Sequence, residues 1–223
     1  MKKILKTIMS KIRVSTYQRL LAHSMQNELF YPLKSVPLFD TRESLWNDCI
    51  QRFVKSESKI TYIEFGVFEG KSISFFSQNN VNPESTFIGL DSFEGLPEDW
   101  GDIPKGAFNK DGMMPNIKDK RVKFIKGWFQ NTWPELKKET QDIKEIENLV
   151  VHYDADLYSS TLFALTKIHT LQRDYIAIFD EFSGDETRAL FDYLQSYNAS
   201  VEFYSKTYWN GYPFQVACKI THN

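Results

Sequence analysis

The sequence predicts one α/β domain: a mostly parallel sheet, wound with helices on both faces, that ends in an antiparallel hairpin. Three observations predict it. From Ile60 onward, apolar β-rich runs alternate with helical patterns, which is the rhythm of β-α-β units. Acids stand where such runs end, at Asp91 after "FIGL" and at Asp154 after "LVVHY", and open α/β sheets bind ligands just beyond the carboxyl ends of their strands. Asn210-Gly211 joins the last two runs, and Asn-Gly between β-rich segments is a strong hairpin signal. At 223 residues the chain can bury one sizeable core but is short for two domains.

Taken in order, the strands are expected at Ile60–Phe65, Thr86–Leu90, Val122–Ile125, Leu149–Tyr153, Tyr175–Phe179, Val201–Tyr204 and Phe214–Lys219. Helices are expected near Ser72–Gln78, Trp133–Lys138, Ser160–Leu171 and Glu186–Ser196. Before Ile60 the pattern is helical, interrupted by a proline-bearing connection over Leu29–Phe39, with Asp40 or Thr41 as the next N-cap. The stretch Pro97–Lys120 is polar, with three prolines and paired methionines. Connections of that length in compact domains are usually lids or binding loops.

Composition narrows the function. Hydrophobic content of 42% with 25% charged residues suits a soluble globular protein, and 15% aromatic residues suggests a large core and a ring-lined pocket. A net charge of −2 gives no basic field for nucleic acid, which is excluded as a partner. Cys49 and Cys218 lie far apart without ligand spacing, so neither zinc nor a disulfide framework is implied, and a reducing cytoplasm fits. The start, "MKKILKTIMSKIRVSTYQRLL", is too often interrupted by Lys and Arg for a signal peptide. It reads as an amphipathic helix, docking on the domain or a partner subunit, or touching an anionic membrane surface.

Two motifs carry chemistry. "YIEFGVFEGKS" is a strand ending in Glu64 that runs through Gly66 and Gly70 into a helix, and glycines there let a ligand approach the backbone. It is not G-x-G-x-x-G: an acid stands where the first glycine would, unfavourable to a pyrophosphate and favourable to a cation. In "FIGLDSFEGLPEDW" Asp91 ends a strand where α/β nucleoside binders place an acid to accept from ribose hydroxyls. Capping the following turn is its plainer role.

The ordered set "IEFGVFEGKS", "GLDSFEGLPEDW", "VKFIKGWFQNTWPEL", "VHYDADLYSST" and "IAIFDEF", spanning roughly residues 60 to 183, resembles class I S-adenosylmethionine-dependent methyltransferases. Within these it is most similar to the macrocin and mycinamicin type of sugar O-methyltransferase. The resemblance implies a Rossmann-like sheet of seven strands with a reversed last strand. It implies a methyltransferase domain over residues 59–223, with 1–58 as a helical extension or lid. It places the methionine part of the cofactor at the Gly66–Gly70 turn with Glu64 and Ser72. The ribose falls at Asp91 with Ser92 and Phe93, and the adenine near Gly127, Trp128 and Phe129. For the two rings the plainer role is core packing.

The family's metal-dependent members take a carboxylate from the end of the fourth strand and an acidic pair from the end of the fifth, which maps onto Asp154, Asp180 and Glu181. Asp154 would also border the cofactor. Three converging carboxylates repel one another unless a cation sits among them, and oxygen ligands suit Mg²⁺ or Mn²⁺. Such an ion would hold the acceptor's oxygens and lower the pKa of the reacting one. Asp156 stands as a base, an outer acceptor or a helix cap, and His152 as the other base candidate or a packed strand residue. Related catechol and caffeoyl-coenzyme A methyltransferases have a lysine where this chain has Leu157, which argues against the catechol class and leaves the base open.

The expected activity is therefore Mg²⁺-assisted O-methylation of a sugar or glycosylated metabolite, by a cytoplasmic homo-oligomer. The competing readings are a nicotinamide-dependent oxidoreductase, which lacks its glycine fingerprint, and a non-catalytic cofactor-binding or assembly subunit, against which the intact acids weigh.

Overall fold

The structure, a computed structural model, describes residues 32–140, 148–182 and 184–223. The basic N-terminal segment expected to form a helix lies outside them. The chain runs β1 (Leu38–Phe39), α1 (Arg42–Cys49), a π-helical turn (Ile50–Val54), β2 (Thr61–Phe65), α2 (Lys71–Asn79), β3 (Thr86–Asp91) and β4 (Val122–Lys126). It continues through α3 (Phe129–Glu139), β5 (Leu149–Tyr153), α4 (Tyr158–His169), β6 (Tyr175–Phe179), α5 (Asp185–Ser196), β7 (Ala199–Trp209) and β8 (Tyr212–His222). The sheet order is β1-β7-β8-β6-β5-β2-β3-β4.

All pairings are parallel except those of β8 with β6 and β7. β8 alone is reversed, because Asn210 and Gly211 both take positive φ (50° and 82°), as a tight hairpin turn requires. The sheet has eight strands rather than seven. The extra one, β1, sits inside the segment expected to be only a connection, where Leu38 and Phe39 pair with Lys206 and Thr207. Thr41 then caps α1, its Oγ1 accepting from Ser44 N at 3.1 Å. β1 and the cap together set Arg42 at the carboxyl end of the sheet.

The strands are apolar on both faces, as buried parallel strands are. Ile63, Phe65, Leu90, Val151, Tyr153 and Phe179 pack against Leu136, Leu165 and Leu190 of α3, α4 and α5. Tyr62, Phe87, Val150 and Ile178 pack against Leu45, Trp46, Ile73 and Phe76 of α1 and α2. Residues of 38–58 thus share the core of the rest. The long stretch after β3 is folded back on itself: Leu96 and Gly106 exchange backbone bonds with Ala107 and Leu96, and Lys110 and Gly112 donate to Phe93 O. Pro115 and Ile117 lie against Gly70, so this loop is seated on the glycine turn.

Candidate active site

The ladder runs one residue past several strand ends and stages the site there. Gly66 N donates to Leu90 O (3.0 Å), Asp154 N to Phe65 O (2.9 Å), Gly127 N to Asp91 O (2.9 Å) and Asp180 N to Tyr153 O (2.9 Å). Above these ends lies a cavity of about 260 Å³. Gly66, Asp91 and Ser92 form one wall, Trp128 and Phe129 another, and Asp154, Asp156, Asp180 and Glu181 a third. Arg42 completes the acidic side, and Leu96, Trp100 and Phe108 of the long loop cover it.

Gly66 makes this convergence possible. Its φ is +91°, and a Cβ there would fall 1.7 Å from the backbone oxygen of Asp154. Asp91 ties the same corner together: its carboxylate accepts from Val67 N (2.8 Å), Phe68 N (2.9 Å) and Phe93 N (2.7 Å). An ionised carboxylate offers about four acceptor sites, which leaves room for a ligand hydroxyl.

Not every expected residue reaches the cavity. Glu64 is fully buried, and its carboxylate accepts from the Tyr62 and Ser72 hydroxyls. Alternation along β2 puts Tyr62 and Glu64 on the α2 face, so Glu64 and Ser72 lie behind the glycine turn. Phe93 is core and Gly127 supports the strand end; neither lines the cavity. Leu157, where related enzymes carry lysine, is buried ahead of α4.

His152 is also behind the wall, with no exposure. Its Nδ1 lies 2.9 Å from the Tyr62 hydroxyl. Its ring nitrogens stand 3.7 Å from Glu64 and 3.7 Å from Asp180, too far for hydrogen bonds but close enough for strong attraction. Burial opposes its charge, yet these two carboxylates push it up to about 10. It is wedged between two acids behind the wall and does not line the cavity.

The acids carry the opposite signature. Burial, then the Asp180 charge, pushes Asp156 up to about 7 and Glu181 likewise to about 7, against the pull of Arg42. Asp154 is raised well above the carboxylate range for the same two reasons. Asp180 itself is spoken for: Arg42 Nη2 lies 3.0 Å from Oδ2, and Gln215 Nε2 donates to Oδ1.

Part of the charge opposite these acids comes from within the chain. Arg42 pairs with Asp180, and His152 stands between Asp180 and Glu64. Among the described residues no three His, Cys, Asp or Glu side chains stand as a metal-holding group. Arg42 and Gln215 each occupy one site on an oxygen of Asp180, and each oxygen keeps a second acceptor site, so Asp154, Asp180 and Glu181 would be the residues to hold Mg²⁺ or Mn²⁺.

Sequence reading missed Arg42, Gln215 and Glu186. Glu186 is fully buried in the first turn of α5, accepting from Ala155 N (3.2 Å) and Glu181 N (3.0 Å). It braces the two acid-bearing strand ends against each other. Its only sequence signal was an acid at a helix start, which ordinarily means a favourable dipole contact with solvent.

The raised acids set a pH dependence of stability. A carboxyl whose folded pKa lies above its unfolded value stabilises the fold fully below the unfolded pKa and loses that contribution as pH rises through the folded one. For Asp156 and Glu181 the window runs from about 4 to about 7. Thermal unfolding of the ligand-free protein is expected to show a shallower decline from pH 5 to 7.5 in Asp156→Asn than in wild type. Parallel profiles would contradict this.

Comparison with known proteins agrees with the geometry. The family model described as Macrocin-O-methyltransferase (TylF) matches residues 40–200. No curated protein sequence matches. Among solved structures, the O-methyltransferase NovP is similar at 19% identity, covering 81% of this chain and 80% of that one, with TM-score 0.56. An O-methyltransferase from Bacillus cereus in complex with SAH shares 13% identity over 89% and 90%, TM-score 0.53. Cofactor-bound Rv0187 from MTB shares 13% over 98% and 97%, TM-score 0.52. At such identities the structures share a fold, whereas the sequence model covers most of the chain. The chain belongs to the macrocin O-methyltransferase (TylF) family and is an S-adenosylmethionine-dependent O-methyltransferase.

Proposed function

We propose that the chain methylates a hydroxyl of a sugar or glycosylated metabolite, with Asp156 as the base. The observation that supports this reading is that the acid wall Asp154, Asp156, Asp180 and Glu181 shares one cavity with Gly66, Asp91 and Trp128. The cofactor fits what the walls offer: a glycine turn, an acid with spare acceptor capacity, aromatic rings, and negative groups suited to a cationic ligand. Bound there, S-adenosylmethionine supplies an electrophilic methyl group.

The protein's own part is to hold, orient and deprotonate. Asp91 and the amides it orders fix the cofactor side, and Trp128 and Phe129 offer ring faces. Asp156 lines the cavity with a φ of 58°, a left-handed conformation that turns it out of the strand line. Its pKa near 7 matches a general base working near neutrality. Asp180, locked by Arg42 and Gln215, is a fixed acceptor for a neighbouring acceptor hydroxyl. Trp100 and Phe108 border the cavity, where their rings would reduce water access to a bound acceptor and strengthen these interactions.

Calorimetry with S-adenosylhomocysteine tests the reading, and absence of binding at high micromolar concentration would defeat it. No step is routed through a divalent ion. Turnover before and after exhaustive chelation decides that question: a loss restored by Mg²⁺ assigns the ion a role, and persistence removes it from the reaction.

The proposal carries two further expectations, a homo-oligomer and a peripheral membrane contact through the basic N-terminal segment. Among the described residues no helix is long and apolar enough to cross a membrane. Deleting Met1–Val14 and finding unchanged binding to anionic liposomes would remove the second.

A further inference from the structure

The β7–β8 hairpin ends in rings that the core does not use. Trp209 is 63% exposed, Tyr212 54% and Tyr208 44%. The stretch 208–214 carries no charged residue. Exposed large rings gathered at one turn are costly in water and usually mark a contact surface.

Their placement relative to the cavity follows from register. Phe179 and Lys206 are both level with Val216, so Lys206 marks the height at which β6 ends and Asp180 begins. Trp209 lies three residues further, about 10 Å beyond at strand rise, on the edge of the sheet where the acids stand. A register shift between Lys206 and Tyr208 adds local twist at the base of this tip, as bulges near active sites do.

A continuous ladder joins tip and cavity. Arg42, in the cavity wall, pairs with Asp180 at 3.0 Å and lays its guanidinium 4.6 Å from the Phe214 ring centre. Phe214 is fixed by Phe182 N donating to its carbonyl at 2.7 Å. The Trp209 ring lies 5.4 Å from that of Phe214, tilted by 50°. The path thus leads from a charged group at the acid wall, over a half-buried ring, to an exposed indole.

We propose that this hairpin tip, with Trp209 as its anchor and Tyr212 beside it, is the acceptor's distal subsite and receives a flat, uncharged aglycone carried by the sugar. The inference rests on the sugar-methylating reading above. The tip stands farther from the acids than one sugar ring spans, so it meets what the sugar bears. The lack of charge over 208–214 favours an apolar aglycone over a phosphate or nucleotide, and rigid rings lose little entropy on gripping a flat partner.

The test uses the full chain saturated with S-adenosylhomocysteine and two probe sets, p-nitrophenyl hexopyranosides and the matching methyl hexopyranosides, titrated by calorimetry. Aryl glycosides are expected to bind about tenfold more tightly than methyl glycosides. Trp209→Ala should erase that preference, Trp209→Phe should keep most of it, and affinity for S-adenosylhomocysteine should not change. Failure to bind S-adenosylhomocysteine would defeat the methyltransferase reading itself. Binding of S-adenosylhomocysteine with no aryl preference in wild type, or with the preference intact in Trp209→Ala, overturns the subsite alone. A fall in sedimenting mass on Trp209→Ala also overturns it, by making the tip a contact between copies of the chain.

Discussion

Gly66→Ala is expected to lower the unfolding midpoint by about 8 °C and to abolish cofactor binding. The added Cβ would sit 1.7 Å from the Asp154 backbone oxygen, where real Cβ contacts stay beyond 3.0 Å. The obstacle is backbone, so no side chain can swing aside. Alanine also dislikes a φ of +91°, and strain plus overpacking comes to about 3 kcal/mol, which corresponds to that midpoint shift at this chain length. Relief requires the ends of β2 and β5 to part, and that separates the glycine turn from the acid wall. Differential scanning calorimetry that finds Gly66→Ala within 2 °C of wild type would refute the account.

Asp156→Asn is expected to reduce kcat by about 10²- to 10⁴-fold, the usual worth of a positioned general base, with cofactor affinity unchanged. Asparagine tolerates the left-handed backbone that Asp156 adopts, so the change removes the ionisable group and little else. Stability near pH 8 should rise slightly, because a carboxylate held against burial and the Asp180 charge is gone. His152→Gln provides the contrast. That side chain touches Tyr62 and faces Asp180 from behind the wall, so its loss should act through Asp180 and leave the acid limb of the pH–rate profile in place. Retention of more than about a tenth of kcat in Asp156→Asn would remove it as the base.

The strand candidates from Ile60 to Phe179 were legible because each is an apolar β-rich run between turn signals, and all appear within a residue or so of their expected bounds. The hairpin extended further than its apolar core suggested, since an edge pair can continue through polar positions once its turn sets the register. Helix α3 begins at Phe129 rather than Trp133. The missed strand β1 is only two residues long and follows Pro37. Its sole reason to be extended is the partner Lys206–Thr207, which lies far along the chain.

The site shows the same division. Asp91, Asp154, Asp180 and Glu181 could be placed because strand ends can be counted, and strand ends face the ligand edge. Glu64 could not: both faces of β2 are buried, so alternation offered no polar side to identify its direction. Local sequence therefore determined the sheet, its reversed last strand, the glycine turn and the row of acids, since these depend on neighbours a few residues apart. Only the tertiary structure decided how the acids are balanced. Arg42 arrives through β1, His152 from beneath and Gln215 from β8, and charge compensation depends on distance in space, to which separation along the chain gives no guide.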